Sequence, residues 1–323
     1  MKTFLYTISL LLLVASCSKR KGYDEIGSTG LTVRTENVQR NLLAYEERGA
    51  MLGQMYATAE GVGWQGDSCH SDLNEVTGDH AAVVGYESGK AKNADGIDTA
   101  LIRRTAVEFM QRQGLAVMLW TAPDPGSNPL ESGSPANERL KAWTLRVADF
   151  LGSLHNDYGI MLPTLVYLYP SGTGKWYDRL SASDYKKLYA ETIGWLRDEA
   201  HTANAIFGFS NAAVGVSAEQ FVSRCPDSDI SCIQLMYLST DRANYAANLQ
   251  RMAAELSAYC SSNSMPLGIY TGLKGLGGDT FWSESLLPVA NQCRLSYIML
   301  GRNHGDFQQG DYYGPYPGNK TSG

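Results

Sequence analysis

The sequence is short of basic residues for its length. Its 323 residues include 27 Lys and Arg against 33 Asp and Glu, which gives a formal net charge of −6. Proteins that bind nucleic acid usually carry a basic patch or stripe, and nothing in this acidic chain compensates for its lack. Nucleic acid is therefore not an expected partner.

Long hydrophobic runs are also scarce. The longest, over residues 4–14, follows Lys2 and is too short to cross a bilayer as a helix. Its length, its basic flank and the small residues after it are typical of a signal peptide. Val14-Ala15-Ser16-Cys17 resembles the bacterial lipobox, in which the cysteine becomes the lipidated first residue. We therefore expect a signal peptide over residues 1–17 and a membrane anchor at Cys17.

The residues after the lipobox indicate where the protein is anchored. Ser18 follows Cys17, and in the lipoprotein pattern a residue other than Asp favours the outer membrane. Which face of that membrane carries the anchor is left open by the pattern. Residues 18–37 are polar and lack apolar periodicity, so they are predicted to form a tether, with the folded domain over 38–323.

Cysteine and histidine are too few and too scattered to predict a metal site. Five cysteines remain after Cys17, and an odd number leaves at least one thiol unpaired. Asp67, Cys69, His70 and Asp72 lie close in sequence, but their spacing matches no ligand pattern. We expect neither a metal nor a cofactor.

Apolar segments alternate with helical patterns along the rest of the chain. Residues 162–168 form an apolar run that is typical of a strand buried on both faces, and Pro170-Ser171-Gly172 then starts a loop. Ser183 is the predicted N-cap of the helix that follows. Strands are predicted over 50–54, 81–86, 115–120, 164–168, 205–209, 231–237, 267–270 and 295–300, and helices over 38–48, 98–113, 138–154, 183–200, 218–223, 243–260 and 281–291.

This alternation predicts one α/β domain. Eight strands separated by helices over ~250 residues are typical of a (β/α)8 TIM barrel. Residues 301–323 are rich in Gly, Asp, Tyr and Pro and show no helical pattern. The final helix is therefore expected to be missing or irregular.

Several motifs resemble glycoside hydrolase family 26, whose members are mainly (β/α)8-barrel β-mannanases. The similarity extends from about residue 42 to residue 320. It implies the same barrel fold and a mannan-type polysaccharide or oligosaccharide as substrate or ligand. The matching segments are the opening motifs at 57–64 and 71–83, the third-helix signature at 147–151, and the last-strand loop at Arg302-Asn303 and 312–318.

The resemblance also implies two catalytic positions, and the chain departs from the family at both. The family uses an acid/base glutamate after the fourth strand and a nucleophilic glutamate at the seventh, with carboxyl groups ~5 Å apart. Ser171 stands at the first position, and Tyr270 or Thr271 at the second, depending on a one-residue gap. A hydroxyl group supplies neither the acid nor the ionised nucleophile. The expected protein is a catalytically degenerate barrel.

Two alternatives remain open at this stage. One is an active endo-β-mannanase or related glycanase that uses relocated carboxylates, and the other is an inactive relic that no longer binds glycans. The carboxylates near predicted strand ends are Glu87, Asp124, Asp178, Asp241 and Asp279, and nothing in their spacing indicates a catalytic pair.

Aromatic and polar residues of the loops are the predicted glycan ligands. Flat aromatic rings stack against pyranose faces, and oriented polar groups bind the hydroxyls. A place in the core for Trp120 and a loop-anchoring role for Trp176 are the competing interpretations. The predicted substrate-binding residues are Trp64, Trp120, Trp176, Tyr177, Tyr270, Arg302 and Asn303.

Overall fold

Eight parallel strands close into a barrel in the computed structural model, which describes residues 24–66, 70–88, 99–275, 280–304 and 313–317. The strands are β1 Met51–Met55, β2 Glu60–Gly61, β3 Trp64–Gln65, β4 Val83–Ser88, β5 Leu115–Trp120, β6 Thr164–Leu168, β7 Ala205–Asn211, β8 Ile233–Ser239, β9 Leu267–Leu273 and β10 Tyr297–Leu300. The order around the barrel is β1-β10-β9-β8-β7-β6-β5-β4, and β2 and β3 form a separate antiparallel pair.

Helices connect the strands and cover the outside of the barrel. The predicted (β/α)8 TIM barrel is thereby confirmed. The α-helices are Val33–Tyr45, Asp72–Thr77, Thr99–Gln111, Pro135–Gly152, Ala182–Gly194, Ala218–Val222, Tyr245–Ser262 and Leu287–Gln292. A 3-10 turn covers Trp176–Arg179, and π-helical turns cover Trp195–Glu199 and Phe281–Leu286.

A buried polar network fills the inside of the barrel. The hydroxyl groups of Tyr167 and Tyr297 lie 2.7 Å apart, and Gln234 Nε2 donates to Tyr297 Oη at 2.7 Å. Ser210 Oγ in turn donates to Gln234 Oε1 at 2.9 Å, so these buried polar side chains satisfy one another. Gly268 makes room for this packing, since a Cβ atom there would collide with the Tyr297 ring.

The folded domain begins earlier than residue 38. Thr32 caps the helix Val33–Tyr45 by accepting the Thr35 N–H at 3.1 Å, and its own N–H donates to Ala203 O at 2.9 Å. Leu31 and Thr32 are buried. The predicted tether boundary is therefore corrected for residues 24–37, because these residues pack on the barrel. Residues 1–23, with the predicted signal peptide and Cys17, lie outside the described residues.

Other local differences involve caps and short elements. Ser181, not Ser183, caps the helix Ala182–Gly194 through a 3.0 Å bond from Asp184 N. The β2–β3 pair and the helix Asp72–Thr77 are too short to show periodicity. Residues 301–304 and 313–317 contain no helix after β10, and the rest of that segment lies outside the described residues. Within the described ranges no helix is long and apolar enough to cross a bilayer.

Candidate functional site

The residues predicted to match the two family catalytic positions lie at the same end of the barrel as Arg302. Ser171 follows β6, Tyr270 is the middle residue of β9, and Arg302 follows β10. The strands are parallel, so their carboxyl ends meet at one face, which is where (β/α)8 enzymes carry their active sites. We call this face the barrel mouth.

At the acid/base position, Ser171 is buried in a tight turn. Its N–H donates to Ser210 O at 2.9 Å, and its Oγ donates to Asp178 Oδ1 at 3.3 Å. Asp178 also accepts the N–H groups of Gly172 at 2.8 Å and Lys175 at 3.1 Å. The carboxylate nearest the family acid/base position therefore holds the loop together and is not directed at a ligand.

Arg224 holds the same loop from the other side. Its guanidinium donates to the carbonyl oxygens of Tyr177, Asp178 and Leu180 at 2.8, 3.1 and 3.0 Å. It also lies over the Tyr185 ring at 4.6 Å, a cation–π contact. Three carbonyl contacts from one planar cation leave the loop little freedom to rearrange.

At the nucleophile position, the structure places Tyr270 and Thr271 in different environments. Tyr270 is 8 % exposed, and its pKa is raised first by burial and further by the negative charge of Glu87, against a smaller opposing effect of Arg302. Its hydroxyl therefore keeps its proton at neutral pH. Because neighbouring side chains of a strand face opposite sides, the Thr271 side chain points away from the side occupied by Tyr270.

Thr271 is fully buried, and its side chain is hydrogen-bonded on the outer side of the barrel wall. Its Oγ1 donates to Tyr237 O at 2.8 Å and lies 2.8 Å from Tyr245 Oη. Burial raises the pKa of Tyr245, so that phenol does not act as a base for Thr271. Tyr270 is thus the residue of this pair that faces the mouth.

Three predicted stacking residues are buried in an aromatic cluster around Tyr169. Trp120 is fully buried with its ring centroid 5.1 Å from that of Tyr169, and Tyr177 is fully buried at 5.4 Å. Trp176 is buried as well, and its Nε1 donates to Ala122 O at 3.0 Å. Protein covers these rings, so the structure corrects the stacking predicted for them and places Trp120 in the core and Trp176 as a loop anchor.

Trp64 is half-buried and held in a fixed orientation. Its Nε1 donates to Asp72 Oδ1 at 2.7 Å, and Asp72 Oδ2 accepts Val62 N at 3.0 Å and Asn303 Nδ2 at 2.8 Å. The His70 ring lies against it with centroids 4.5 Å apart. The buried carboxylate of Asp72 thus fixes the orientation of the Trp64 indole, and stacking of Trp64 against a sugar ring stays a prediction.

The predicted polar ligands Arg302 and Asn303 are engaged within the protein. Arg302 Nη2 lies 2.6 Å from Glu60 Oε1, and its guanidinium lies 4.9 Å from the centre of the Tyr56 ring. The Asn303 side chain is buried, and its Oδ1 accepts the Gly314 N–H at 2.9 Å. These contacts join the β2 segment to the loop after β10, and they reduce the groups left to bind sugar hydroxyls.

Glu87 is a carboxylate at the carboxyl end of β4, where it is the last residue but one. It accepts the Thr121 Oγ1 hydrogen at 2.9 Å, and its charge adds to the effect of burial in raising the pKa of Tyr270 and of Tyr177. The sequence predicts Glu87 only as one of five carboxylates near strand ends. Its place near the end of a strand is the one sequence feature that could have singled it out, because the residues around it in the structure come from distant strands.

The remaining candidate carboxylates have other roles. Asp124 lies 3.1 Å from Arg179 in an exposed pair, and Asp241 accepts the Asn244 side chain at 2.8 Å in a turn. Asp279 lies outside the described residues. Within the described ranges no group of three or more His, Cys, Asp or Glu side chains is arranged to hold a metal ion.

A large cavity lies away from the mouth. It has a volume of about 430 Å³ and is lined by Met51, Leu115 and Leu162, which stand at or before the amino ends of their strands. Cavity size alone therefore does not locate the site, since the family positions and Glu87 are at the opposite end.

The fold resembles that of known mannanases. No family model matches the chain. A GH26 β-mannanase from Bacteroides ovatus aligns with a TM-score of 0.83 and 26% identity over 90% of each chain. A modular endo-β-1,4-mannanase from Cellulomonas fimi aligns with a TM-score of 0.78 and 18% identity over 91% of this chain and 73% of its own.

A curated protein shows the same relationship in sequence. A mannan endo-1,4-β-mannosidase from Bifidobacterium adolescentis is 24% identical over 187 residues, which are 50% of this chain but 18% of that relative. The match therefore covers less than a fifth of the curated relative. Together with the solved structures, it gives this chain a GH26 β-mannanase-like fold.

Proposed function

We propose that this protein is a lipid-anchored barrel that binds mannan-type glycans at its mouth and does not hydrolyse them. The observation that carries the proposal is the arrangement around Ser171. A hydroxyl occupies the family acid/base position, and the adjacent carboxylate of Asp178 is bound to two backbone N–H groups. These bonds favour a structural role for Asp178 in the loop after β6.

Turning Asp178 toward a substrate would break its bonds with the N–H groups of Gly172 and Lys175 and with the Ser171 hydroxyl, which together hold this loop. At the other position, the raised pKa of Tyr270 keeps the phenol neutral. A retaining mechanism needs an acid and an ionised nucleophile, and neither position supplies one.

Glycan binding makes smaller demands on the site. It needs a few oriented acceptors and donors together with an aromatic surface. Glu87 supplies a carboxylate acceptor, Tyr270 a hydroxyl, and Trp64 an indole held by Asp72. This set is the basis of the proposed affinity for neutral, hydroxyl-rich chains.

One observation favours a second candidate function, an active endo-β-mannanase with relocated carboxylates. Glu87 is half-buried and electrostatically close to Tyr270, the residue at the family nucleophile position. A carboxylate in this place could serve one step of glycoside hydrolysis. It would need a second carboxylate at the ~5 Å separation of a retaining pair.

The anchor is part of the proposal. The lipobox-like Val14-Ala15-Ser16-Cys17 supports lipidation of Cys17, and Ser18 supports the outer membrane. Replacement Cys17→Ala should release the protein from the membrane fraction or leave its precursor uncleaved.

The test of function uses purified protein that starts at residue 18. We expect calorimetry to detect binding of mannohexaose, with no release of reducing ends from mannan. Trp64→Ala and Glu87→Gln should each weaken binding, while the exposed control Asp124→Asn should not. Hydrolysis that Glu87→Gln abolishes would instead establish the relocated-carboxylate enzyme. Neither binding nor hydrolysis would indicate a relic.

A further inference from the structure

The first described residues run across the amino end of the barrel. Asp24 Oδ2 accepts the N–H of Met161, which lies three residues before β6. Thr32 N donates to Ala203 O at 2.9 Å, two residues before β7. Gln39 Nε2 then donates to Ser231 Oγ at 2.7 Å, two residues before β8. The chain therefore enters the domain at the face opposite the mouth.

Later contacts of the same segment continue around that face. Glu46 Oε1 accepts Leu267 N at 2.9 Å, at the first residue of β9. Ser296 Oγ, just before β10, donates to Leu42 O at 2.8 Å. Five consecutive barrel strands are thus contacted at their amino ends, so the entry point is part of the packed domain.

The distance available between this entry point and the lipid is short. From Cys17 to Asp24 there are seven residues. Fully extended, seven residues span at most about 25 Å. A compact domain of about 290 residues has a radius of gyration of about 19 Å, and hence a radius of about 25 Å. The connection is therefore as long as one radius of the domain.

That length decides which face of the barrel meets the membrane. To bring the mouth to the lipid surface, the connection would have to follow roughly half the circumference, about 80 Å for this radius. With about 25 Å available, the anchored cysteine stays on the side of the amino ends. Lys19, Arg20 and Lys21 lie in this connection, and such cations favour an anionic lipid surface.

We infer that the barrel stands on its membrane by the amino-end face, with the mouth directed away from the lipid. This orientation rests on the lipid anchor in the proposed function and adds the face that meets the bilayer. Its consequence is that a polymeric glycan reaches the mouth from the aqueous side. The bilayer neither covers the site nor limits the length of the bound chain.

The test measures energy transfer from two exposed positions to labelled lipid. The replacements Asp157→p-azidophenylalanine, before β6, and Ser127→p-azidophenylalanine, after β5, place a donor dye at the amino-end face and near the mouth. The lipidated protein is reconstituted into phosphatidylethanolamine–phosphatidylglycerol vesicles that carry an acceptor lipid. We expect transfer from position 157 to exceed transfer from position 127 by at least about twofold, since about 50 Å of protein separates the two faces.

A second attachment separates this inference from the lipidation proposal. Protein that starts at residue 18 with an N-terminal hexahistidine is bound to a nickel-chelating lipid, which preserves a connection of similar length. Equal or reversed transfer in this format would overturn the orientation. If the hexahistidine format shows the expected order but the full chain does not sediment with vesicles, lipidation is wrong and the geometry stands. Neither readout depends on glycan binding.

Discussion

Placing carboxylates at the two predicted family positions is the strongest test of whether their absence prevents hydrolysis. The double variant Ser171→Glu/Tyr270→Glu places one carboxyl beside Asp178 and one beside Glu87. Ser171 Oγ now lies 3.3 Å from Asp178 Oδ1, so the carboxyl introduced at position 171 would lie near another negative charge. The second position faces the mouth, unlike Thr271, whose Oγ1 contacts Tyr237 O.

The electrostatic consequence can be estimated from this geometry. Two carboxylates about 4 Å apart repel by about 4 kcal/mol at an effective dielectric constant near 20. That energy is an upper bound, because Arg224 Nη1 lies 4.0 Å from Asp178 Oδ1 and partly neutralises its charge. The pKa of the introduced carboxyl would still rise, which suits a general acid. Fitting a larger side chain at the buried position costs about 1–3 kcal/mol of stability. The domain should tolerate that loss.

The assay is the release of reducing ends from mannohexaose, after circular dichroism has shown that each variant is folded. We expect Ser171→Glu/Tyr270→Glu to exceed its isosteric control Ser171→Gln/Tyr270→Glu by about 10²-fold or more, the usual contribution of a general acid. Ser171→Glu/Thr271→Glu should stay inactive. Activity in the Thr271 variant with none in the Tyr270 variant would refute our assignment of the residue that faces the mouth.

Two further predictions concern stability. Trp120→Ala should lower the free energy of unfolding by about 3–5 kcal/mol in chemical denaturation, because it empties a core position. Trp64→Ala should instead weaken mannohexaose binding, with a smaller loss of stability. Equal losses of stability in the two variants would contradict the different roles assigned to these tryptophans. Burial raises the pKa of Glu46, so the folded state holds that proton more tightly. Its contribution is therefore full below the ordinary carboxyl pKa and is lost as pH rises through the raised value. Glu46→Gln should flatten the pH dependence of unfolding in this window, and an unchanged profile would argue against it.

Much of the fold follows from local patterns in the chain. The runs at β5 and β6 are continuous and apolar because those strands are covered on both faces, and their bounds match the prediction. The helix caps were harder to assign, as Ser181 and Ser183 are equally suitable residues and only the local backbone decides between them. The β2–β3 pair has too few residues to show a period of two.

For the candidate site as well, some features could be predicted from the sequence and others only from the structure. The predictions of Ser171 at one family position, and of Tyr270 or Thr271 at the other, follow from motif order, since the resemblance to family 26 is read along the chain. The choice of Tyr270 over Thr271 rests on the contacts of Thr271 in the structure. The burial of Trp120, Tyr177 and Asn303 does not follow from the sequence, because residue type alone does not distinguish a tryptophan in the core from one on a binding surface. Whether such a ring is exposed depends on side chains from distant strands, such as Tyr169 beside Trp120.

The sequence by itself indicated the strand–helix alternation and the excess of acidic over basic residues, and it supports the predictions of a lipobox and of hydroxyl residues at both family catalytic positions. These properties depend on residue type and spacing over a few positions. The tertiary structure decided that Asp178 holds a loop, that Glu60 engages Arg302, and that Glu87 of β4 bonds Thr121, which follows β5. Such pairings join residues from separate strands and loops, and they exist only once the barrel has closed.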